Sequence, residues 1–208
     1  LEKTHPMNRL LQGEVGSGKT VVALRAMLAV ADAGGQSALL APTEVLAAQH
    51  YASMRKVLGD DLADQIGLTL LTGQLNTADH KRALLQLVSG KAQLVVGTHA
   101  LIANKVEFFD LGLIVIDEQH RFGVEQREAL RQKGKQPPHV LTMTATPIPR
   151  TLAVTVFGDL DVSTLTELPK GRQPISTHVV QLNQPSLVAR TWQRIAEEVA
   201  NGKQAFVV

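Results

Sequence analysis

A glycine-rich segment near the start of the chain has the residue types and spacing of a phosphate-binding loop. Residues 13–20 read Gly-Glu-Val-Gly-Ser-Gly-Lys-Thr and fit the pattern G-x-x-x-x-G-K-S/T in full. Glycine lacks a Cβ, so the backbone of such a loop can approach an anion closely and point successive N–H groups at it. We therefore predict that nucleotide phosphates are bound by Gly13, Glu14, Val15, Gly16, Ser17, Gly18, Lys19 and Thr20.

The last two residues of this loop have specific predicted roles. Lys19 is expected to reach the β- and γ-phosphates of a nucleoside triphosphate, and the hydroxyl of Thr20 is expected to bind Mg²⁺. The context agrees, because Leu10-Leu11-Gln12 reads as the end of an apolar strand and residues 20–33 read as an almost wholly apolar helix. The N-terminus of that helix adds a favourable dipole for phosphate. Loop and context together predict a nucleoside triphosphate and Mg²⁺ as ligands.

A second site with chemical potential follows a short apolar run from Leu111 to Ile116. A continuous apolar run is typical of a central strand in a parallel sheet, covered on both faces. Carboxylates at its carboxyl end are expected beside the phosphate loop, where ligands bind in open α/β sheets. We assign Asp117 to Mg²⁺ through a water molecule and Glu118 to activation of the attacking water. A solvated acidic pair at a strand end is the alternative.

Composition and charge narrow the class of protein. The chain has 208 residues, and its 21 Lys and Arg nearly balance 19 Asp and Glu, so any basic face for nucleic acid must be local. The absence of cysteine excludes disulfides and thiolate metal sites and fits a reducing compartment, so we expect a cytoplasmic protein. No apolar stretch is long enough for a membrane span. Residue 1 is not Met, so we expect the true N-terminus to be missing.

Apolar strand patterns alternate with helical patterns along the chain. This alternation predicts βαβ units and an α/β fold with a mostly parallel sheet flanked by helices. Strands are predicted at 8–12, 37–41, 66–71, 93–97, 112–117, 139–144, 161–165, 175–181 and 204–208. Helices are predicted at 19–33, 44–58, 78–89, 98–103, 124–133, 148–156 and 186–201.

A segment rich in proline and glycine divides the chain. Residues 168–174 read Leu-Pro-Lys-Gly-Arg-Gln-Pro, which is typical of a linker. The pattern of helix and strand resumes after it and stops at residue 208 in the middle of a unit. We therefore predict one domain over 1–168, a linker over 169–174, and the start of a second, truncated domain over 175–208.

Five further segments begin helices or loops directly after predicted strands, on the nucleotide side of the sheet. Each offers hydroxyls and free backbone N–H groups at a helix start, which suits contacts to phosphate. Taken singly, each can equally be a helix cap, and both interpretations stay open for Thr43 and Thr98. The segments are Ala41–His50, Leu71–Gly73, Gly97–Ile102, Arg121–Arg127 and Thr144–Thr151.

Together with the phosphate loop and Asp117-Glu118-Gln119-His120, these segments resemble the first motor domain of superfamily 2 helicases. The acidic box followed at once by Arg-Phe-Gly-Val-Glu-Gln-Arg, and later Thr-Ala-Thr-Pro-Ile-Pro-Arg-Thr, resembles the RecG family of bacterial branch-migration helicases. The resemblance runs from about Met7 to Val208. It implies a RecA-like P-loop domain with ATP and Mg²⁺ as cofactors. It also implies a monomeric motor on duplex DNA that remodels stalled forks and four-way junctions in recombination and repair.

The resemblance also implies roles for individual residues. Gln119, His120 and the segment Thr144-Ala145-Thr146 would couple the γ-phosphate to the DNA face and to the partner domain. The backbone of DNA would be tracked by Pro42, Thr43, Gly73, Thr98 and His99. The remaining histidines, His50 among them, have no metal-ligand spacing, and we interpret them as structural or solvated.

Three alternatives are weighed against this interpretation. The transcription-repair coupling translocase shares two of the segments, but Gln119 and Ser17 replace the Glu and Phe that are common there, which favours RecG. A nucleotide-dependent switch of the GTPase kind is disfavoured, because Asn104-Lys105-Val106-Glu107 ends in Glu and precedes the carboxylate strand. A transporter-type ATPase subunit would require a Leu-Ser-Gly-Gly-Gln-like signature, which the sequence lacks.

By the same resemblance, several parts of the family are expected outside this chain. They are a wedge domain that engages branched DNA, an adenine-reading segment, and the rest of the second motor domain with its arginine finger. Such a finger supplies a large part of the rate in this class of reaction. We therefore expect residues 1–208 alone to bind ATP weakly and to hydrolyse it poorly.

Overall fold

The structure is a computed structural model, and the residues it describes are 5–118, 122–146, 160–166 and 176–207. Two compact units divide the chain, Leu1–Pro169 and Lys170–Val208. The predicted limits of the linker, at 169 and 174, lie outside the described residues, so the domain boundaries stay a prediction.

The first unit is built around one β-sheet. Its order is β3-β4-β2-β5-β6-β1-β7, and every neighbouring pair of strands is parallel. The predicted parallel α/β fold is therefore confirmed. The seven strands are β1 Asn8–Gly13, β2 Gln36–Leu40, β3 Thr69–Leu71, β4 Leu94–Gly97, β5 Leu111–Asp117, β6 His139–Thr144 and β7 Asp161–Leu165.

Helices connect the strands of this sheet. Two of them begin with side-chain caps: the N–H of Leu46 donates to Thr43 Oγ1, and the N–H of Asp79 donates to Asn76 Oδ1. The predicted helix at 98–103 is a short 3₁₀ helix over His99–Ile102, and the one predicted at 148–156 lies outside the described residues. The α-helices of this unit are α1 Lys19–Asp32, α2 Glu44–Leu58, α3 Asp60–Gln65, α4 Thr77–Val88 and α5 Val124–Arg131.

Helix α3 was not predicted, and its presence shortens the next strand. The sequence predicts a strand from residue 66, whereas β3 begins at Thr69. Gly67 has a φ of 63° and turns the chain, and the N–H of Leu68 donates to the carbonyl of Ala63 in α3. Ile66 and Leu68 are buried although they lie in a turn. Their apolar side chains therefore gave the pattern of a strand that begins at residue 66.

The core consists of two apolar layers, one on each face of the sheet. In β5, Leu113 and Val115 pack into one layer, and Ile114 and Ile116 pack into the other. A strand covered on both faces needs apolar residues at successive positions, as the run at 111–116 predicted. Helices α1, α2 and α3 contribute to the first layer, while α4, the 3₁₀ helix and α5 contribute to the second.

The second unit contains one described helix, α6 Pro185–Ala200, close to the predicted 186–201. None of its residues is buried, and Trp192 is 55% exposed. The strands predicted at 175–181 and 204–208 are wrong for the part that is described, since 176–180 and 204–207 have no strand structure. A strand requires a hydrogen-bonded neighbour. No helix among the described residues is long and apolar enough to cross a membrane.

Candidate nucleotide and nucleic-acid site

The carboxyl ends of the parallel strands form one edge of the sheet. In the register, Leu40 pairs with Gly97 of β4 and with Ile116 of β5. One residue farther toward the carboxyl ends, Asp117 pairs with Met143 of β6, and one residue beyond that, Thr144 pairs with Gln12 of β1. The loops that follow these strands therefore meet at this edge. The loops after β3, β4 and β2 carry the predicted DNA contacts, and we call them the DNA half of the edge. The loops after β5, β6 and β1 carry the predicted nucleotide site, and we call them the nucleotide half.

The phosphate loop joins β1 to α1 through a tight turn. Gly16 and Gly18 have φ angles of 82° and 91°, in the left-handed region that residues with a Cβ adopt at a cost. Gly18 is the N-cap of α1, and its carbonyl accepts from the N–H of Val21 at 2.9 Å. The turn thus leads directly into the helix N-terminus, which is the geometry that binds anions.

Lys19 lies folded over the loop that it is predicted to serve. Its Nζ donates to the carbonyls of Gly13 at 2.7 Å and Glu14 at 2.9 Å. An ammonium has three donors and no acceptor, so the same group can exchange a carbonyl for a phosphate oxygen without being rebuilt. The lysine is therefore held at the loop by contacts that a phosphate can replace.

Ser17 and Gly13 have packing roles as well as their predicted nucleotide contacts. A Cβ on Gly13 would lie 2.6 Å from Ser17 Oγ and 3.1 Å from the Cβ of Leu165 in β7. The Ser17 hydroxyl is buried and has no hydrogen-bond partner among the described residues. Gly13 therefore allows the loop to lie close against β7, while Ser17 contributes contact area there.

Glu118, the predicted base, has an unusual backbone conformation. Its φ is 51°, the only positive value for a non-glycine residue in the described part of the chain. Such strain persists where the surroundings enforce it, and it is common at active sites. Here the N–H of Glu118 donates to the carbonyl of Met143 at 3.0 Å, and Oε1 of Glu118 accepts from the N–H of Ala145 at 3.2 Å. The carboxylate is thereby fixed against the end of β6.

The position of β6 refines the expected geometry. The sequence predicts the carboxylates beside the phosphate loop, but β6 lies between β5 and β1 in the sheet. The segment Thr144–Thr146 therefore sits between the loop and Glu118 along the edge. Within it, Thr144 Oγ1 accepts from the N–H of Thr146 at 3.1 Å. Gln119 and His120 lie outside the described residues, so their coupling roles stay a prediction.

Asp117, the predicted Mg²⁺ residue, contacts a histidine that sequence reasoning missed. His50 Nε2 lies 2.7 Å from Asp117 Oδ2, and both side chains are 14% exposed. A signal was available, because Ala47, His50 and Met54 recur at the spacing of one helix face, and Ala47 and Met54 are buried. A polar residue on a buried stripe requires a partner. The interpretation of His50 as structural or solvated overlooked that partner.

The donor set at this edge suits Mg²⁺. Thr20 offers a hydroxyl and Asp117 offers a carboxylate, which are hard oxygen ligands. Mg²⁺ usually keeps several waters and binds through one or two carboxylates together with substrate phosphates, instead of in an all-protein cage. A phosphate loop with one carboxylate strand nearby therefore fits this cation.

The predicted DNA contacts differ in how accessible they are. Thr43, Gly73 and His99 are exposed, and Pro42 is half-buried. Thr98 is 1% exposed as a whole residue, and its hydroxyl has no partner among the described residues, so a contact between Thr98 and DNA would require a local rearrangement. Their roles remain predictions, and the four accessible residues can meet a ligand without rearrangement.

A cavity of about 420 Å³ lies in this half of the edge. Gly73 and His99 line it together with His80, which we interpreted from the sequence as structural or solvated, and Lys105, which we considered only within Asn104–Glu107. Lys105 places a positive charge near the residues that are predicted to contact the DNA backbone. Because the overall charge of the chain is nearly balanced, positive charge for nucleic acid has to be local in this way.

Lys133 attaches the end of α5 to the connection that follows the 3₁₀ helix. It follows α5, and its Nζ donates to the carbonyls of Ala103 at 2.9 Å and Val106 at 2.8 Å, just after the 3₁₀ helix. Burial lowers the pKa of the Lys133 ammonium below its usual range, and the charge of Glu107 opposes that shift. The helix that follows the carboxylate strand is thus attached to the segment that carries His99.

Thr43→Ala tests whether Thr43 is a helix cap, a DNA contact, or both. The change removes the acceptor for the Leu46 N–H, so the free energy of unfolding should fall by about 1 kcal/mol in chemical denaturation. If Thr43 also contacts DNA, the affinity for duplex DNA should fall in the folded variant. Gly112→Ala is the control for lost stability, since Gly112 lies at the start of β5, at the opposite edge of the sheet, and the change should cost up to about 1 kcal/mol with unchanged DNA affinity. Equal DNA affinities in both variants would leave Thr43 as a cap only.

Comparison with known proteins shows which family the chain resembles. The profile of the DEAD/DEAH box helicase family matches residues 2–154. The ATP-dependent DNA helicase RecG of Mycobacterium leprae is 56% identical over 219 residues, which cover 100% of this chain and 30% of that protein. The RecG of Streptococcus pneumoniae is 51% identical over 208 residues, with the same two coverages of 100% and 30%. The chain therefore spans about 30% of the length of the curated relatives it matches.

Solved structures agree with the sequence matches. A structure of RecG bound to a three-way DNA junction has a TM-score of 0.81 and 42% identity, covering 99% of this chain and 26% of that one. A DEAD box protein from Methanococcus jannaschii, 20% identical with a TM-score of 0.58, shares the fold over 76% of this chain and 46% of its own. The sheet is thus a RecA-like helicase fold. The chain belongs to the DEAD/DEAH box helicase family and is homologous over its whole length to RecG helicases.

Proposed function

We propose that this chain is the ATP-binding motor part of a DNA helicase that remodels branched DNA, such as stalled forks and four-way junctions. One observation carries the proposal. A phosphate loop and the predicted DNA-contact segments share a single sheet edge, in a fold that matches RecG on a three-way junction with a TM-score of 0.81. In this proposal, hydrolysis at one half of the edge drives movement of DNA at the other half.

Each residue of the nucleotide half has a separate proposed role in phosphoryl transfer. The N–H groups of the loop and the Lys19 ammonium bind and orient the β- and γ-phosphates. Thr20 and Asp117 would hold Mg²⁺, which neutralises charge on the phosphates when bound. Glu118 accepts a proton from the attacking water, and its hydrogen bond with Ala145 orients the carboxylate for that task. ATP is the proposed nucleotide, as in the relatives' names.

Coupling is proposed to run through the end of β6. Glu118 contacts this strand through the carbonyl of Met143 and the residue directly after it through the N–H of Ala145. A change at the γ-phosphate that moves Glu118 would therefore displace the segment 144–146 directly. Gln119 and His120, the rest of the proposed Asp-Glu-Gln-His box, would extend the same route to DNA and to the partner domain.

Several finer features belong to the same proposal. The motor would act as a monomer in the cytoplasm, in recombination and repair, without a membrane partner. The residues proposed to follow the DNA would contact its sugar-phosphate backbone and carry no base specificity. They are Pro42, Thr43, Gly73, Thr98 and His99. Specificity for branched DNA would come from structure beyond these contacts.

ATP hydrolysis by the whole protein tests this function. Turnover should be measured without nucleic acid, and with single-stranded DNA, linear duplex DNA, a four-way junction and duplex RNA. We expect strong stimulation by the junction and little by RNA. Stimulation should also fall steeply with salt, because the proposed contacts are to phosphate. Equal turnover in all five conditions would contradict a DNA motor and would favour a nucleotide switch.

A further inference from the structure

We propose that His50 is a positioning residue for the Mg²⁺ carboxylate and that it ties helix α2 to the nucleotide half of the edge. The inference rests on the proposed nucleotide site and goes beyond it, because His50 belongs to neither the phosphate loop nor the acidic box. His50 and Asp117 are 67 residues apart in sequence and meet at 2.7 Å. This hydrogen bond is the starting observation.

The chemistry of the pair defines what His50 does. A carboxylate accepts hydrogen bonds, so in this pair Nε2 of His50 is the protonated ring nitrogen. Its N–H donates a hydrogen bond to Oδ2 of Asp117. One carboxylate oxygen is then fixed, and the other is left to face the cation or its water shell. Partners of this kind, one step removed from a metal, orient the ligand and raise metal affinity. His50 would therefore hold Asp117 in the rotamer that receives Mg²⁺.

Burial supports a positioning role over simple packing. Both side chains are 14% exposed, and His50 lies on the stripe of α2 that includes Ala47 at 0% and Met54 at 1% exposed. An apolar side chain at this position could be buried at no cost, because it has no polar group that needs a hydrogen-bond partner. The imidazole instead brings a polar group into a mostly apolar layer, where it contacts the carboxylate that is predicted to serve the cation.

The place of His50 along α2 gives this contact a further consequence. The helix is capped at Thr43, which is exposed in the DNA half of the edge, and His50 lies two turns farther on. A helix moves as a rigid element, so a shift of its first turn on DNA binding would be felt at Asp117 through one hydrogen bond. The contact thus offers a route between the two halves that is separate from the one through β6.

Two substitutions separate positioning from packing. In His50→Gln, the side-chain NH₂ occupies the place of Nε2 and can still donate to Asp117. In His50→Asn, the NH₂ occupies the place of Nδ1 and falls short of it. Both variants bury a neutral amide of similar polarity, so their stabilities should be similar. Ser53→Ala, at an exposed site on the same helix, is the control for a change in α2.

The measurement is binding of a fluorescent, non-hydrolysable ATP analogue to the whole protein, titrated with Mg²⁺ and repeated in EDTA, with thermal unfolding of every variant. His50→Asn should raise the Mg²⁺ concentration for half-maximal binding by about 10-fold, with the affinity in EDTA unchanged. His50→Gln and Ser53→Ala should behave like the unchanged protein. Equal Mg²⁺ requirements in all variants, or equal losses with and without Mg²⁺, would overturn the inference. Failure of the unchanged protein to bind the analogue would overturn the proposed function as well.

Discussion

Glu118→Gln should leave ATP binding intact and slow its hydrolysis by roughly 10²–10⁴-fold, the usual size of a general-base contribution. Glutamine keeps the length of the side chain, and its amide oxygen can still accept from the N–H of Ala145, so the hydrogen bond at 3.2 Å survives. The backbone at φ 51° costs both residue types a similar amount. What disappears is the basicity needed to take a proton from water.

The measurement is single-turnover ATP hydrolysis by the whole protein with a four-way junction present, alongside the affinity for a non-hydrolysable analogue. Glu128→Gln provides the matched control, since Glu128 lies exposed on α5 and its carboxylate is 4.0 Å from the guanidinium of Arg131. That control should retain full turnover. Unchanged hydrolysis in Glu118→Gln would remove the assignment of Glu118 as the base. Lost binding would assign it a structural role instead.

Gly97→Ala should destabilise the first unit strongly, by about 3 kcal/mol or more, at the upper end of what overpacking costs. A Cβ at this position would lie 2.2 Å from the carbonyl oxygen of Leu71 and 2.9 Å from Cγ of Leu101. The first of these atoms belongs to the backbone of β3, which is paired with β4 and cannot move away without breaking that ladder. The clash therefore reaches both β3 and the 3₁₀ helix that begins at His99.

Chemical denaturation of the chain measures this effect. Gly112→Ala is the comparison within the same sheet, because a Cβ there would meet Cγ1 of Val30 at 3.1 Å, and a side-chain methyl can shift by a few tenths of an ångström. We expect Gly112→Ala to cost about 1 kcal/mol or less. If the two variants unfold at the same denaturant concentration, the close approach of β3 to β4 at Gly97 is not what the structure indicates.

The elements that local patterns determine were predictable from the sequence. The run 111–116 has apolar residues at successive positions because β5 is covered on both faces, and the phosphate loop is recognisable because Gly16 and Gly18 need positive φ. Both features depend on residues that are neighbours in the chain. Strand β7, predicted at 161–165, is found at Asp161–Leu165 for the same reason.

The features that were missed depend on which distant residues meet. Nothing in the order of strands along the chain states that β6 lies between β5 and β1, so the sequence predicts the carboxylates near the loop but leaves the lateral order of the strands open. The pairing of His50 with Asp117 follows from that same lateral order, since β2, which leads into α2, is the neighbour of β5. The strands expected after residue 174 failed because an apolar run specifies a strand only where a neighbour exists to pair with it.

The lateral order of the sheet also bears on how the unit folds. Strand β1 pairs with β6 and β7, and already at its start the Met7 N–H donates to Nδ1 of His139, 132 residues away. Contacts across such a separation carry a large loop-closure cost and form late. Strands β2 to β5 pair among themselves and can assemble before β6 has left the ribosome. Competence to bind nucleotide would then be acquired last, so ATP would recognise only chains whose first unit has folded completely.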